Sequence, residues 1–254
     1  MQWPPEAIWE SVAPLLPGFT VEILPELDST NSELMRRARS GRTEAVLLVA
    51  ERQTAGRGRL GRSWQSAAGE SLTFSLGLPL APPDWSGLSL AVGASVAQSL
   101  HPEVRLKWPN DLWLYDRKLG GILIETASHG EGGASTRHAV IGIGINIAPR
   151  EAAGLSTLPA AVKELLPDQD AGTVLLRLAL PLVRDVLAFE RAGFAAFRQR
   201  FLGRDALHGR QIVLSDGTSG TAQGVDERGA LLVHTAAGPQ AVSSSEVSVR
   251  PAAG

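Results

Sequence analysis

The chain has 254 residues, no cysteine and a formal net charge of −2, with a sequence pI of about 6.2. Its length allows one large domain with a small appendage, and the lack of cysteine excludes disulfides, thiolate catalysis and thiolate zinc sites. Balanced charge argues against a broad nucleic-acid surface, so a basic site must be local. Neither a signal peptide nor a membrane span is visible, and we expect a cytoplasmic protein.

Hydrophobic periodicity and turn signals divide residues 1–204 into strands and helices. The expected elements, in chain order, are a short helix or arm within 1–17, a strand over 19–24, a helix opened by the capping box Thr30–Glu33 and ended by Gly41, a buried strand over 45–50, a strand with one buried face over 72–78, a helix over 86–100, a strand–turn–strand over 104–112, a strand over 119–125, a buried strand over 138–147, and helices over 173–189 and 193–201. Loops or linkers are expected over 128–135 and 150–168.

Three polar residues, Ser29, Thr30 and Asn31, stand at the start of the first predicted long helix. One of them should cap the helix, since short polar side chains satisfy its free N–H groups. The other two would then be free to bind a ligand, and a helix N-terminus favours a negative one.

A glycine- and arginine-rich loop follows the strand over 45–50. Glycine permits close backbone approach to a ligand, and the arginine fork suits carboxylate or phosphate. The residues of this loop that we single out are Gln53, Gly56, Arg57, Gly58, Arg59, Arg62 and Trp64. On these residues alone, an anion site and a merely mobile loop remain equal alternatives.

Two lysines, Lys107 and Lys118, lie at the ends of neighbouring predicted strands. They are either solvated hairpin lysines or two cations that converge on phosphate. The glycines Gly142 and Gly144 lie inside a buried strand, which indicates that another group packs closely against its backbone. Asn146 ends that strand and needs a polar partner. The five histidines are scattered, so we predict no histidine metal site.

The last part of the chain changes character. Short strand-like runs over 211–214, 221–225, 231–234 and 246–249 alternate with turn sequences. We therefore predict a small β-barrel domain over 205–254, after a larger domain over 1–204.

Five motifs in this order resemble those of the biotin–protein ligases: Asp28-Ser-Thr-Asn31, Gln53 to Trp64, Lys107-Trp-Pro-Asn-Asp111, Asp116 to Gly121, and Gly142-Ile-Gly-Ile-Asn146. With the C-terminal domain, the resemblance covers residues 19 to 250. It implies an α+β fold, in which a class II synthetase-like mixed sheet with helices on one side is followed by an SH3-like β-barrel.

The resemblance also implies a two-step reaction, in which biotin and ATP give biotinyl-5′-AMP and the biotinyl group then passes to a lysine of a biotin carboxyl carrier protein domain. Mg²⁺ is expected with ATP, without assigned protein ligands. Only 27 residues precede Asp28, so we expect no DNA-binding domain. A homodimer remains an open alternative.

The resemblance implies overlapping groups of site residues. Those expected to contact biotin are Ser29, Thr30, Asn31, Gln53, Arg57, Gly58, Arg59 and Lys118. Those expected to contact the nucleotide are Gly56, Arg59, Arg62, Trp64, Lys107, Asn110 and Asn146. Those expected to act in catalysis are Arg57, Lys107, Asp111 and Lys118.

Two of these roles have alternatives at this point. Trp64 is either a flap over the ligand or a core anchor, and Asp111 is either the base for the acceptor lysine or a turn-capping residue. For the whole chain, a lipoate–protein ligase is the nearest enzyme alternative. A nucleic-acid-binding module using the arginine loop is the alternative from another class, and a non-catalytic sensor is a third.

Overall fold

The computed structural model describes residues 2–128, 137–150, 157–243 and 249–251. The elements of the larger part are α1 (Pro5–Val12), β1 (Thr20–Leu27), α2 (Thr30–Arg39), β2 (Val46–Gln53), β3 (Ser71–Leu80), α3 (Leu88–Leu100), β4 (Arg105–Lys107), β5 (Asp111–Leu114), β6 (Arg117–Ser128), β7 (Arg137–Asn146), α4 (Ala171–Ala192) and α5 (Arg198–Leu202). The predicted loop over 128–135 lies outside the described residues, apart from Ser128.

Seven strands form one mixed sheet in the order β1-β2-β3-β7-β6-β5-β4. Strands β1 and β2 pair in parallel, and every other neighbouring pair is antiparallel. In the middle of the sheet, Ser75 on β3 lies opposite Gly142 on β7, and Gly142 lies opposite Leu123 on β6. This register brings alternate residues of three central strands onto one face.

The two faces of the sheet carry different helices. On one face, residues such as Leu47 and Leu76 join the main core formed with α1, α3 and α4. On the other face, Val46 and Val140 pack against Leu34 of α2 in a separate cluster. The predicted α+β fold is confirmed, with the refinement that α2 lies on the face opposite to the other long helices. We call this the α2 face.

Helix α2 begins one residue earlier than the capping box predicted. Ser29 is its N-cap, and its side chain accepts a hydrogen bond from the Ser32 backbone N–H. Glu33 pairs instead with Arg36 and Arg37. The predicted box Thr30–Glu33 was therefore wrong, and Thr30 is left free for contacts inside the protein.

Strand β3 differs from its prediction in burial. Nearly every residue of Ser71–Leu80 is buried, although one exposed face was expected. The alternation of apolar and polar residues is real, but the polar residues face α2 and the candidate site rather than bulk water.

The C-terminal part forms a second, five-stranded antiparallel sheet in the order β11-β10-β9-β8-β12. Its strands are β8 (Gln211–Leu214), β9 (Ser219–Val225), β10 (Leu231–Thr235), β11 (Gly238–Val242) and β12 (Val249–Pro251). Strand β11 was missed because its glycine, proline and mostly exposed residues lack the strand pattern. The predicted run at 246–248 lies outside the described residues, and closure into a barrel stays a prediction.

The two sheets dock through specific contacts. The Leu106 N–H donates to the Arg204 carbonyl at 2.8 Å, and the Ala206 N–H donates to the Leu106 carbonyl at 2.9 Å. The Trp108 indole donates to the Gly229 carbonyl at 3.0 Å. The predicted boundary between 204 and 205 falls in the segment that pairs with β4. None of the described helices combines the length and apolar character needed to span a bilayer.

Candidate functional site

A cavity of about 260 Å³ lies on the α2 face of the sheet, where the ends of the central strands meet the glycine- and arginine-rich loop. The sheet contributes Thr73, Gly121, Gly142 and Gly144 to its lining. Thr73, Gly144 and Gly121 lie opposite one another across β3, β7 and β6, and Gly142 lies two residues from Gly144 on the same face of β7. The cavity can reach the sheet backbone because three of the four are glycines.

One end of the cavity has a buried polar floor. The Gln53 side-chain oxygen accepts from the Thr30 N–H at 2.7 Å and lies 3.2 Å from the Thr30 hydroxyl. The Ser75 hydroxyl lies 2.7 Å from both the Thr30 hydroxyl and the Asn31 side-chain oxygen, and its single hydrogen serves one of them at a time. Thr30, Asn31 and Gln53 therefore come together as predicted, while Ser29 caps the helix at the edge of the cavity.

The glycines of β7 make room for two site side chains. A Cβ at Gly142 would lie 2.0 Å from the Asn31 side-chain oxygen, and a Cβ at Gly144 would lie 2.5 Å from the Trp64 ring. The predicted close packing on this strand is confirmed. Trp64 lies against the sheet as an anchor, and its ring also lines the cavity.

The glycine- and arginine-rich loop folds back on itself. The Trp64 N–H donates to the Gly56 carbonyl at 2.8 Å, and the Gly58 N–H donates to the Arg62 carbonyl at 2.6 Å. A Cβ at Gly56 would lie 2.3 Å from the Trp64 carbonyl oxygen, so glycine there allows the loop to close. Gly56 is not among the residues that line the cavity, so its observed role is structural, and its nucleotide contact stays a prediction.

All three arginines of the loop, Arg57, Arg59 and Arg62, line the cavity together with Gly58. Burial lowers the pKa of the Arg59 guanidinium, which nevertheless stays charged at neutral pH because arginine ionises only in strong base. The loop therefore presents permanent positive charge to the cavity.

Lys107 and Lys118 converge on one side chain, Asp111. This agrees with the alternative in which the two cations act together and not with that of two separate solvated lysines. Lys118 Nζ lies 2.7 Å from one Asp111 carboxylate oxygen, and Lys107 Nζ lies 3.5 Å from the other. Burial lowers the pKa of Lys107, while the nearby Asp111 charge opposes that change. Asn110 also lines the cavity, and its side-chain amide donates to the Ile122 carbonyl at 2.7 Å.

Asn146, which was expected to need a polar partner, contacts two backbone carbonyls. Its side-chain amide donates to the backbone carbonyls of Lys118 at 3.1 Å and Ala160 at 2.9 Å. It is not among the residues that line the cavity. Asn146 therefore holds the chain at Lys118, and its nucleotide contact stays a prediction.

Sequence patterns missed several residues that line the cavity or support its lining from behind. Ser75 belongs to the polar floor, Arg150 places its guanidinium 5.5 Å from the Trp64 ring centroid, and Arg250 reaches the cavity from β12. An alternating strand pattern could have signalled Ser75. No local signal could have found Arg250, since only domain docking brings it to the site.

The cavity is strongly cationic. Among the described residues, one acid, Asp111, and seven basic side chains line it. The basic residues are Arg57, Arg59, Arg62, Lys107, Lys118, Arg150 and Arg250. No cluster of three or more acidic or histidine side chains that could hold a metal ion occurs in the described ranges. The arrangement suits a ligand with several negative charges, brought to a polar, glycine-lined pocket.

Comparison with known proteins agrees with this geometry. Residues 24–146 match the model of the biotin/lipoate A/B protein ligase family, and residues 207–250 match the biotin protein ligase C terminal domain. The chain is 33% identical to the biotin–[acetyl-CoA-carboxylase] ligase of Paracoccus denitrificans over 243 residues, which covers 89% of this chain and 98% of that protein. This chain belongs to the biotin–protein ligase family.

Two further relatives show how far the likeness extends. The bifunctional ligase/repressor BirA of Escherichia coli is 37% identical over 258 residues, which covers 93% of this chain and 76% of BirA. The biotin protein ligase of Aquifex aeolicus, solved with biotin and ATP, superposes with a TM-score of 0.78 at 30% identity, covering 91% of this chain and 99% of that one. Both the large sheet and the C-terminal sheet are therefore parts of the family fold.

Proposed function

We propose that this biotin–protein ligase joins biotin to ATP in its cationic cavity and transfers the biotinyl group to a lysine of a biotin carboxyl carrier protein domain. The observation that carries the proposal is the placement of the Lys107–Asp111–Lys118 cluster and the loop arginines around one cavity with a polar floor. The names of relatives that act on acetyl-CoA carboxylase support a carrier domain as the acceptor.

The polar floor suits the ureido ring of biotin. That ring offers one carbonyl acceptor and two N–H donors, and the side chains of Thr30, Asn31 and Gln53 supply hydroxyl and amide groups. Arg57, Gly58 and Arg59 would then lie along the route of the valeryl chain toward the carboxylate. Ser29 contributes at the edge, after capping α2.

In the first step a biotin carboxylate oxygen attacks the α-phosphorus of ATP, and the bond to the pyrophosphate oxygen breaks. Both reactants are anions, so the protein must hold them together and neutralise charge rather than supply a base. We assign Lys118 to the carboxylate and α-phosphate, and Lys107 and Arg62 to the phosphates. Arg150 and Arg250 add positive charge to the cavity lining.

In the second step the acceptor lysine attacks the acyl carbon of biotinyl-AMP, and AMP leaves. The acceptor amine must first lose a proton, because its ordinary pKa is about 10.4. Asp111 was the predicted base. Both of its carboxylate oxygens already face lysines, which supports a role in holding Lys107 and Lys118, and a role as base would require one lysine to move.

We expect Mg²⁺ to accompany ATP. Magnesium usually reaches such sites bound to phosphate oxygens, with one or two carboxylates and several waters. Asp111 is the one acid among the described residues that line the cavity. The ion would neutralise phosphate charge, while the cations named above orient the reactants.

Two alternatives fit less well. A lipoate–protein ligase shares the larger family, but the match of residues 207–250 to the biotin protein ligase C terminal domain favours biotin. A nucleic-acid-binding module would need outward-facing arginines, whereas Arg57, Arg59 and Arg62 line a cavity. The absence of DNA binding, a homodimer and a cytoplasmic location stay predictions.

The test is pyrophosphate release by the purified protein with ATP and Mg²⁺. We expect release that requires biotin, followed by biotin transfer when a carrier domain is added. Lipoate in place of biotin separates the two ligase activities. Salt-dependent DNA binding without biotin-dependent turnover would refute the proposal and favour the nucleic-acid alternative.

A further inference from the structure

We propose that Glu125 is a positioning residue that holds the Arg57 guanidinium at the biotin end of the cavity by joining the loop to the polar floor. This inference rests on the proposed function. Glu125 lies in β6 on the α2 face, outside all five sequence motifs, and it does not itself line the cavity.

The contacts of Glu125 define its place. One of its carboxylate oxygens, Oε2, accepts from the Arg57 guanidinium and also from the Asn31 side-chain amide, the latter at 3.0 Å. The same Asn31 amide lies 3.1 Å from the Leu123 carbonyl, while its oxygen accepts from Ser75 at 2.7 Å. A continuous chain of hydrogen bonds therefore runs from the loop through Glu125 to the floor.

The anchor end of this chain is rigid. Asn31 is buried, with 3% of its surface exposed. It occupies the space that the missing side chain of Gly142 leaves, since a Cβ there would lie 2.0 Å from its oxygen. Asn31 thus has little freedom to move, and it fixes the carboxylate of Glu125.

The arginine end needs such a fixed partner. Arg57 is a long side chain, partly exposed, on a glycine-rich loop, and ordering an arginine costs side-chain conformational entropy. A guanidinium has five N–H donors in a planar fork, so one edge can hold Glu125 while the remaining donors face a ligand carboxylate. Paying part of that entropy before the ligand arrives strengthens binding.

A second arginine–glutamate ion pair in the same sheet is an ordinary surface contact. Arg52 and Glu26 face each other across β2 and β1 at 3.0 Å, and both side chains are largely exposed. Neither residue lines the cavity. This pair provides a matched control with the same chemistry and no link to the floor.

The test is a double-mutant cycle on biotin affinity, measured by calorimetry without ATP on Glu125→Gln, Arg57→Gln and the double variant. We expect each single change to weaken binding about tenfold, the effect of one lost charge-assisted hydrogen bond. The double variant should bind no more weakly than Arg57→Gln alone, since Glu125 acts through Arg57. Glu26→Gln should bind as the unchanged protein does.

Additive losses in the cycle, or unchanged affinity in Glu125→Gln, would overturn the proposal. So would a drop in melting temperature as large as that of a core substitution, because Glu125 would then serve the fold. Glu125→Asp keeps the charge but shortens the side chain by one methylene. It should bind biotin more weakly, because the shorter carboxylate no longer reaches Arg57.

Hydrogen exchange separates this inference from the proposed function. Without any ligand, backbone amides of residues 56–62 should exchange faster in Glu125→Gln and Arg57→Gln than in the unchanged protein or Glu26→Gln. If the unchanged protein fails to bind biotin, the proposed function is wrong, and the exchange rates still decide whether Glu125 holds the loop. Equal exchange in all four proteins contradicts the inference.

Discussion

The two faces of the central sheet are built from the same strands and serve opposite purposes. On β3, Leu76 faces the main core under α3 and α4, while its neighbour Ser75 faces α2 and contacts Thr30 and Asn31, which line the cavity. On β7, Ile143 packs into that core, while Gly142 and Gly144 leave space for Asn31 and Trp64. Buried apolar side chains on one face stabilise the fold. On the other face, small residues leave space for the polar groups of the site.

The comparison teaches that period-two alternation need not mean a face turned to water. Both faces of β3 are buried, yet they differ in what fills the space. Each buried polar group on the α2 face is expected to have a hydrogen-bond partner, because an unpaired one is costly. Changes on the two faces should therefore separate binding from stability.

The largest expected effect is on the chemistry beside the α2 face. Lys118→Ala should lower biotinyl-AMP formation by about 10²–10³-fold, because it removes a charge placed for the transition state. Its melting temperature should change little, since Lys118 is partly exposed. Single-turnover adenylate formation measures this, with the exposed Lys163→Ala as control; near-normal adenylate yield in Lys118→Ala would contradict the assignment.

The apolar face should respond in stability instead. Leu76 is fully buried, and Leu76→Ala should destabilise the protein by about 2–5 kcal/mol through lost transfer energy and a new cavity. Denaturant unfolding measures the free energy. The biotin affinity of the folded fraction should stay within about twofold, and a loss of affinity as large as that of a site variant would show that the faces are not separate.

The adjacent residue should behave in the reverse way. Ser75→Ala removes a buried hydroxyl that contacts Thr30 and Asn31, and it should cost about 1 kcal/mol of stability. Its main effect should be several-fold weaker biotin binding, since the floor loses its shared donor. Calorimetry measures the biotin affinity and denaturant unfolding measures the stability of the same preparation. Unchanged affinity would show that Ser75 does not contribute to the polar floor.

The smallest effect is a pH dependence at Lys107. Burial lowers its pKa in the folded protein, so between that value and the ordinary lysine value near 10.4 the unfolded chain binds more protons. Stability carried by Lys107 should therefore rise as pH rises through this window. The unfolding free energies of the unchanged protein and Lys107→Met are measured from pH 7 upward. The unchanged protein should gain stability relative to Lys107→Met as pH rises, and parallel curves would show that burial does not perturb the pKa of Lys107.

Local signals account for what could be predicted of the site. Gly56 and the loop arginines, the two lysines around Asp111, and the glycines of β7 are recognisable because each is a short run with its own turn or strand chemistry. Their grouping around one cavity was expected from motif order and resemblance. The sequence could not predict contacts with residues that are distant along the chain, such as those of the Asn146 amide with the Lys118 and Ala160 carbonyls.

The sequence alone determined most of the helices and strands, the family and the positive charge of the site, because periodicity, turn residues and clustered arginines are local properties of the chain. Only the tertiary structure decided which residues share the α2 face, that Glu125 accepts a hydrogen bond from Arg57, and that Arg250 reaches the cavity from the C-terminal sheet. These facts depend on strand register and domain docking, where one residue of slip would turn every side chain to the other face.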